Sequence, residues 1–404
     1  MSDSLVVGLD VGTTKVCALV AQASEQGLNI LGLGTAESRG LRKGIVVNIE
    51  STVESIHRAI KEAEAACGVS IKSVFVGIAG GHIKSFESFG ATGIKGAEVS
   101  EADIERALDA AKAVYVPLDR EVLHVIPVEY TIDGEGGITN PLGMSGVRLE
   151  ARVQIVTGSV TAVQNLVRCC EKAGLEVLDI VLEPLASALA TLTESEKEEG
   201  VVLVDIGGGT TDIAFYRDGV LQHTSVVAIG GNHITNDIAI GLRLPVDEAE
   251  RIKKSYGVAV LDMESRESVD IMVAGREQKS IPIGYITEII NPRCEELFEI
   301  VKKELTEAGV YDKAAYGVVL TGGASQLRGM QKLAEAVLGM PVRMASPKGV
   351  SGLEDLINDP KYSTGVGLLL YGLDEVQQPV GYGDIFGNIL KRMKDWVMGF
   401  IGGK

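Results

Sequence analysis

The 404-residue chain is poor in aromatics, at 4% with a single tryptophan, and its five cysteines (Cys17, Cys67, Cys169, Cys170, Cys294) form no Cys-x-x-Cys pair. An odd count without disulfide or metal spacing argues against a stapled secreted domain and reads as buried thiols in a reducing cytosol. The five histidines show no ligand spacing, so neither a zinc site nor a Ser-His-Asp triad is expected. No stretch reaches the ~20 apolar residues that span a bilayer. The opening Met-Ser-Asp-Ser lacks the basic and apolar regions of a signal peptide. Positive charge is scarce as well: 38 Lys+Arg against 55 Asp+Glu leave a net charge of −17. Such a chain repels phosphodiester backbones, which excludes nucleic acid as a partner. With 46% hydrophobic residues the composition is that of a folded body, expected to be soluble and cytoplasmic.

Glycine, by contrast, is abundant at 49 residues, and two glycine turns carry most of the information. Gly8-Leu9-Asp10-Val11-Gly12-Thr13-Thr14-Lys15 and Val204-Asp205-Ile206-Gly207-Gly208-Gly209-Thr210-Thr211-Asp212 each follow an apolar run and combine aspartate, glycine and paired threonines. Strands are predicted around both: Leu5–Leu9, Val16–Ala21 and Leu28–Leu33 in the first half, Val201–Ile206, Asp212–Tyr216 and Val220–Ile229 in the second. A helix over Ser51–Ala66 ended by Gly68, and a strand over Ser73–Ile78, follow the first set. Between Lys84 and Val160 the pattern changes to a helix (Ser100–Val114), a strand (Glu121–Ile132), a glycine-rich loop and a strand (Arg148–Val156). A helix over Thr161–Ala173 returns the chain to the first half. Gly231–Gly309 reads as largely helical, with Val246–Tyr256 and Thr287–Ala308 clearest. Strand Gly317–Leu320, a turn and helix Gln326–Leu338 complete the second half. The reading is thus two related α/β halves, each with an insertion.

Glycine turns bring backbone N–H groups close to an anion, so Gly12, Thr13 and Thr14 and, opposite, Gly207, Gly208, Gly209, Thr210 and Thr211 are candidate phosphate contacts. Asp10 and Asp205 suit a hydrated divalent metal, although either could simply cap its turn. Lys15 is placed for a phosphate or, equally, for solvent. Glu183, in Leu182-Glu183-Pro184-Leu185-Ala186-Ser187-Ala188, sits between a strand and a small-residue helix, where it could position an attacking water or merely occupy a helix start. Gly322-Gly323-Ala324-Ser325 joins a strand to a helix, and its amides could face an anion or a nucleoside. Lys253 and Lys254 by default form a solvated helix face.

After Gln377-Gln378-Pro379-Val380-Gly381-Tyr382-Gly383, which reads as a linker, the chain ends in an amphipathic helical pattern. Ile385, Phe386, Ile389, Leu390, Met393, Trp396, Val397, Phe400 and Ile401 share one side, and Lys391, Arg392 and Lys394 the other. Such a helix could dock on the protein's own core or a partner helix. Bulky aromatics and basic residues on an otherwise acidic protein favour the surface of an anionic bilayer.

These motifs together resemble the actin-like ATPase superfamily, which includes sugar kinases, heat-shock chaperones and bacterial filament proteins. Asp10–Lys15 and Asp205–Asp212 resemble its two phosphate motifs, Glu183–Ala188 its first connecting motif and Thr321–Ser325 its adenosine motif. Within it, Asn140–Glu150, Gly230–Ala239 and the linker with its C-terminal helix resemble the FtsA family of bacterial cell-division proteins. The resemblance implies an α/β actin-like ATPase fold: two related lobes with a cleft, each lobe carrying an inserted subdomain, and a C-terminal amphipathic helix. It divides the chain into subdomains 1A (1–83 and 161–198), 1C (84–160), 2A (199–230 and 310–374) and 2B (231–309), a linker (375–384) and a membrane-targeting helix (385–404). It also implies ATP and Mg2+ as cofactors, Lys253 near the nucleoside, feeble hydrolysis, and assembly of the chain with itself into filaments. The implied partners are the C-terminal tail of FtsZ, docked on 2B near Asn291 and Arg293, the anionic cytoplasmic face of the plasma membrane at the division site, and later division proteins through 1C. A small-molecule kinase or a pilus or competence protein on the same fold is the alternative. A kinase needs a base for a substrate hydroxyl, and no residue outside the nucleotide motifs offers itself.

Overall fold

The apolar runs around the first glycine turn fold as an antiparallel meander, β1 (Leu5–Val11), β2 (Lys15–Ser24) and β3 (Gly27–Glu37). The structure is a computed structural model that describes residues 5–24, 27–261, 267–273 and 277–377. A short hairpin, β4 (Leu41–Arg42) and β5 (Ile45–Val46), leads into helix α1 (Ile49–Cys67). The Asn48 side chain accepts from Ser51 N–H at its start, and Gly68 ends it in the left-handed conformation, φ 73°. Helix α1 buries Ile56, Ala59, Ile60 and Ala63 against β3. Gly34 makes that approach possible, because a Cβ there would overlap the backbone of Ala59 and Ala63. Strand β6 (Ser73–Ile78) then joins β1 in parallel.

The chain now leaves this lobe for a separate layer. Strand β7 (Lys84–Gly93), helix α2 (Glu101–Lys112), and strands β8 (Arg120–Ile132), β9 (Glu135–Ile138) and β10 (Arg148–Ser159) form an antiparallel sheet ordered β7-β10-β8-β9. Helix α2 covers one face over Leu108, Ala111, Val125 and Ile155. Two of these strands depart from the sequence expectation. Strand β7 is an edge with a polar outward side, and β9 forms within the glycine-rich loop.

Helix α3 (Val160–Lys172), strand β11 (Glu176–Leu182) and helix α4 (Glu183–Thr191) return to the first lobe, where β11 lies parallel to β6. After α5 (Glu194–Glu199) a second meander follows: β12 (Val201–Ile206), β13 (Thr211–Arg217) and β14 (Val220–Val227). The second insertion comprises α6 (Gly231–Leu242), α7 (Val246–Tyr256), a hairpin of β15 (Ser268–Val273) and β16 (Glu277–Pro282), and α8 (Ile283–Glu307). The hairpin corrects the largely helical expectation: Val269 and Ile271 are buried at the two-residue period of a strand. Helix α8 starts at Ile283 rather than Thr287 and continues through Pro292. Strand β17 (Val318–Thr321), helix α9 (Met330–Leu338) and strand β18 (Val342–Met344) finish the second sheet. The chain then crosses back. Strand β19 (Val350–Ser351) pairs with β3, and after the short α10 (Glu354–Ile357), helix α11 (Ser363–Gln377) packs on α4 and β1.

The two lobe sheets run β11-β6-β1-β2-β3-β19 and β14-β13-β12-β17-β18. Read from β3 and from β14, they share one plan, an antiparallel meander extended by two parallel strands. The repeated turns in the sequence therefore mark a repetition of whole sheets. Residues 378–404, including the apolar side from Ile385 to Ile401, lie outside the described residues. No described helix is long and apolar enough to cross a membrane.

Candidate functional site

Both glycine turns close in the same way. Across the first hairpin Asp10 pairs with Cys17, and Gly12 N–H donates to the Lys15 carbonyl at 3.0 Å. Across the second Asp205 pairs with Asp212, and Gly207 N–H donates to the Thr210 carbonyl at 3.0 Å. The register therefore superimposes Asp10 on Asp205, Lys15 on Thr210, and Thr13-Thr14 on Gly208-Gly209. The threonine pairs that look alike in the sequence are not equivalent. The glycines opposite Thr13 and Thr14 have a steric cause: a Cβ on Gly208 would overlap Thr14, and one on Gly209 would crowd Thr13. Turns from opposite lobes thus meet across a cleft of about 660 Å3, within the usual range for a small-molecule site. Thr210 lines this cleft, whereas Thr211 points into the protein, where its hydroxyl donates to the Ile229 carbonyl at 2.8 Å.

Four of the carboxyl groups that line this space gather near the turns: Asp10 and Asp205 at the two strand ends, Asp212 across from Asp205, and Glu183 in the first turn of α4. Asp205 Oδ2 accepts from Ser187 Oγ at 2.7 Å and from Thr364 Oγ1 at 3.3 Å. Asp212 Oδ2 accepts from Thr210 Oγ1 at 3.5 Å, while Asp212 Oδ1 is buried with no partner among the described residues. Burial raises all four above the usual carboxylate range. It pushes Asp205 up to about 6, with the Asp10 charge adding to the effect. Burial and the neighbouring carboxylates hold Glu183 and Asp212 well above it. Asp10 is raised too, although Lys15 opposes the shift. Lys15 Nζ lies 3.6 Å from Asp10, donates to the Lys361 carbonyl at 2.7 Å and sits 4.6 Å from the Tyr362 ring centre. Among the described residues no three acidic, histidine or cysteine side chains converge as a direct metal cage. The carboxylates surround the space without closing on one point.

At the other end of the cleft Lys253 departs from the solvated default. Its Nζ donates to the Gly231 carbonyl at 3.1 Å and Thr235 Oγ1 at 2.9 Å, and pairs with Glu250 at 2.6 Å. Lys254 keeps the exposed role, with 73% of its side chain accessible. Gly322, Gly323 and Ala324 face the cleft, but Ser325 does not: it is buried, its hydroxyl donating to the Gly322 carbonyl at 2.7 Å. The expected helix from Gln326 is also displaced. Residues Gly323–Gln326 form a single 3-10 turn and α9 starts at Met330, so no long helix points its N-terminus from this turn.

The second insertion carries the remaining candidates. Asn291 is buried, and its Nδ2 donates to the Ala259 carbonyl at 2.8 Å, which removes it as a surface contact. Arg293 is partly exposed and pairs with Asp237 at 2.7 Å and with Glu296. Cleft residues that sequence reasoning missed include Asp212, Glu250, Asp359, Lys361 and Thr364. Asp212 ends the second turn motif and Glu250 lies three residues before Lys253 on one helix face, so both had a local signal. Lys361 and Thr364 had none, because the crossing chain brings them in from more than 150 residues away.

Comparison with known proteins bears on the fold and the family. The sequence profile of cell division protein FtsA matches residues 202–367, that of an SHS2 domain inserted in FtsA matches 80–157, and that of Hsp70 protein matches 163–232. Cell division protein FtsA of Pseudomonas aeruginosa is 48% identical over 410 residues, covering 98% of each chain. FtsA of Escherichia coli is 41% identical over 410 residues and 97% of each chain. FtsA of Bacillus subtilis is 40% identical over 374 residues, 92% of this chain and 84% of that one. Among solved structures, a chain of a PilM–PilN type IV pilus biogenesis complex superposes with a TM-score of 0.65 at 18% identity, covering 91% of this chain and 98% of that one. MreB5 of Spiroplasma citri bound to ADP gives 0.54 at 16% identity, covering 93% and 98%. Identities that low speak for the fold alone, which is the actin-like ATPase fold. Near-full-length identities of 40% and more speak for descent: the chain belongs to the FtsA family of cell-division proteins.

Proposed function

We propose that the cleft binds ATP with Mg2+ and that the chain is a division scaffold, polymerising into filaments that tether FtsZ to the membrane. The observation that carries the nucleotide reading is the meeting of two glycine turns from opposite lobes among four clustered carboxyl groups. Backbone amides at Thr13 and Thr14 and at Gly208, Gly209 and Thr210, in the turns that Gly12 and Gly207 close, would take the phosphates, with Lys15 as their cation. Four mutually repelling carboxyls gathered beside Lys15, and an orphaned Asp212 oxygen, fit a divalent cation, which Asp10 and Asp205 would hold through water. Mg2+ held there would neutralise charge on the phosphate oxygens. Glu183 orients the attacking water, Lys253 and Gly322–Ala324 flank the nucleoside, and hydrolysis is weak at most. MreB5 with ADP or AMPPNP, on the same fold, supports the ligand class.

The family supports the rest. We divide the chain into subdomains 1A, 1C, 2A and 2B at the boundaries inferred above, with later division proteins meeting 1C and the FtsZ tail meeting 2B at the face that carries Arg293. Residues 385–404 lie as an amphipathic helix in the cytoplasmic leaflet at the division site. The decisive experiment is a pull-down on an immobilised FtsZ C-terminal peptide. Retention is expected and should fall on Arg293→Glu; no retention of the intact, ATP-binding protein would sink the tether.

A further inference from the structure

Strand β8 of the first inserted sheet sends two polar side chains, His124 and Arg120, toward the lobe that carries Glu183. His124, 1% exposed, accepts through Nε2 the Leu182 N–H at 3.0 Å. Leu182 ends β11, the edge strand of its sheet, and immediately precedes Glu183. Among the described residues no strand lies beyond that edge, and His124 supplies the acceptor that a neighbour would otherwise provide. Four residues earlier, Arg120 Nη2 donates to the His82 carbonyl at 2.9 Å and to the Thr157 carbonyl at 2.8 Å. His82 and Glu183 face the same small cavity of about 10 Å3, behind the main cleft. The inserted strand thus grips the backbone beside Glu183 and the loop across the cavity from it. An irregularity in register between Val122 and His124 re-aims β8 at this junction, and Leu123 enters the lobe core there. Burial holds His124 neutral, with its pKa lowered to about 4, which keeps Nε2 free to accept.

We propose that the inserted sheet sets the position of Glu183, with His124 as a positioning residue and Arg120 as its support. The proposal rests on the reading of Glu183 as the water-orienting group. Any load on the inserted sheet then reaches the carboxylate through one hydrogen-bonded backbone amide. ATP affinity depends on other residues and should be indifferent to His124. Hydrolysis should not be, because small displacements of a positioned group cost rate steeply.

The test uses the full chain. His124→Leu keeps a similar volume and removes the acceptor; it should leave ATP affinity unchanged, lower single-turnover hydrolysis about tenfold and accelerate hydrogen exchange at the Leu182 amide. His124→Gln, which offers an acceptor oxygen, should restore both. In a Glu183→Ala background, His124→Leu should cost nothing further, since residues acting through one group are not additive. Normal hydrolysis in His124→Leu, with Glu183→Ala slow, overturns the positioning role alone. Normal hydrolysis in Glu183→Ala overturns the reading of Glu183 and the proposal with it. Should His124→Leu fold poorly, the unmodified protein still decides: a Leu182 amide that exchanges as fast as an exposed one overturns the proposal.

Discussion

Replacing Asp205 by asparagine should stabilise the ligand-free protein while abolishing its response to Mg2+–ATP. Burial raises the Asp205 carboxyl from 3.8 to about 6 in the folded state. The folded protein therefore holds a proton more tightly at this site than the unfolded chain. Below pH ~4 both states are protonated and the site is neutral in its effect. As pH climbs through 4 to 6 the unfolded chain ionises first, and above 6 the full penalty is present. At about 1.4 kcal/mol per pH unit, that penalty is about 3 kcal/mol at pH 7. Asparagine cannot ionise, yet its Oδ1 can still accept from Ser187 and Thr364, the donors that Asp205 Oδ2 uses at 2.7 and 3.3 Å. For a chain of this length about 3 kcal/mol corresponds to a rise of roughly 3 °C in midpoint. Thermal melts at pH 4, 5, 6 and 7 should show the gap open across that interval and then level. Saturating Mg2+–ATP, at 100 times Kd, should stabilise the native protein by about 2.7 kcal/mol and leave the variant unmoved. A variant that melts below the native protein at pH 7, or a gap unchanged at pH 4, refutes the burial argument.

Gly208→Val should weaken ATP binding more than tenfold by calorimetry with the circular dichroism spectrum intact, because its side chain would occupy the space of Thr14 from the other lobe. Removing residues 385–404 should abolish sedimentation with anionic liposomes and spare ATP binding, and raised salt should weaken binding of the complete chain. Tyr371→Phe deletes the donor that reaches Asp179 Oδ2 at 2.7 Å and should cost about 1–2 kcal/mol in urea denaturation, since α11 is tied to β11 there.

Elements bounded by glycine and buried along their length were legible to the residue. Ser73–Ile78 and Val201–Ile206 are continuous apolar strands in the middle of their sheets, where nothing competes with the pattern. Several strands at the margins were not, although the edge strand β14 was. Strand β7 alternates against solvent on one edge, and β15–β16 is a lone hairpin inside a helical insertion. At the cleft, Asp10, Glu183, Asp205 and the two turns were legible because each stands at the end of an apolar run. The non-equivalence of the threonine pairs was not, because hairpin register follows backbone hydrogen bonds, and those align Thr13 and Thr14 with glycine. Lys361 and Thr364 enter through a crossing that no local pattern encodes.

That register also gives the duplication its chemical sense. Where the first hairpin has Lys15 and Cys17, the second has Thr210 and Asp212. Cys17 is absorbed into the apolar core beside Leu19 and Val366, whereas Asp212 faces the cleft with an oxygen unpaired. The first lobe therefore contributes the turn's ammonium group, and the second an additional carboxylate. Two copies of the second hairpin would have lacked the ammonium group, and two copies of the first the additional carboxylate. Divergence at these positions gives a cleft whose halves are electrostatically unlike, and Lys15 and Asp212 reach one ligand only when both lobes face it. A ligand needing both charges gains its full binding energy only when the lobes are together, and it must favour closure by the difference.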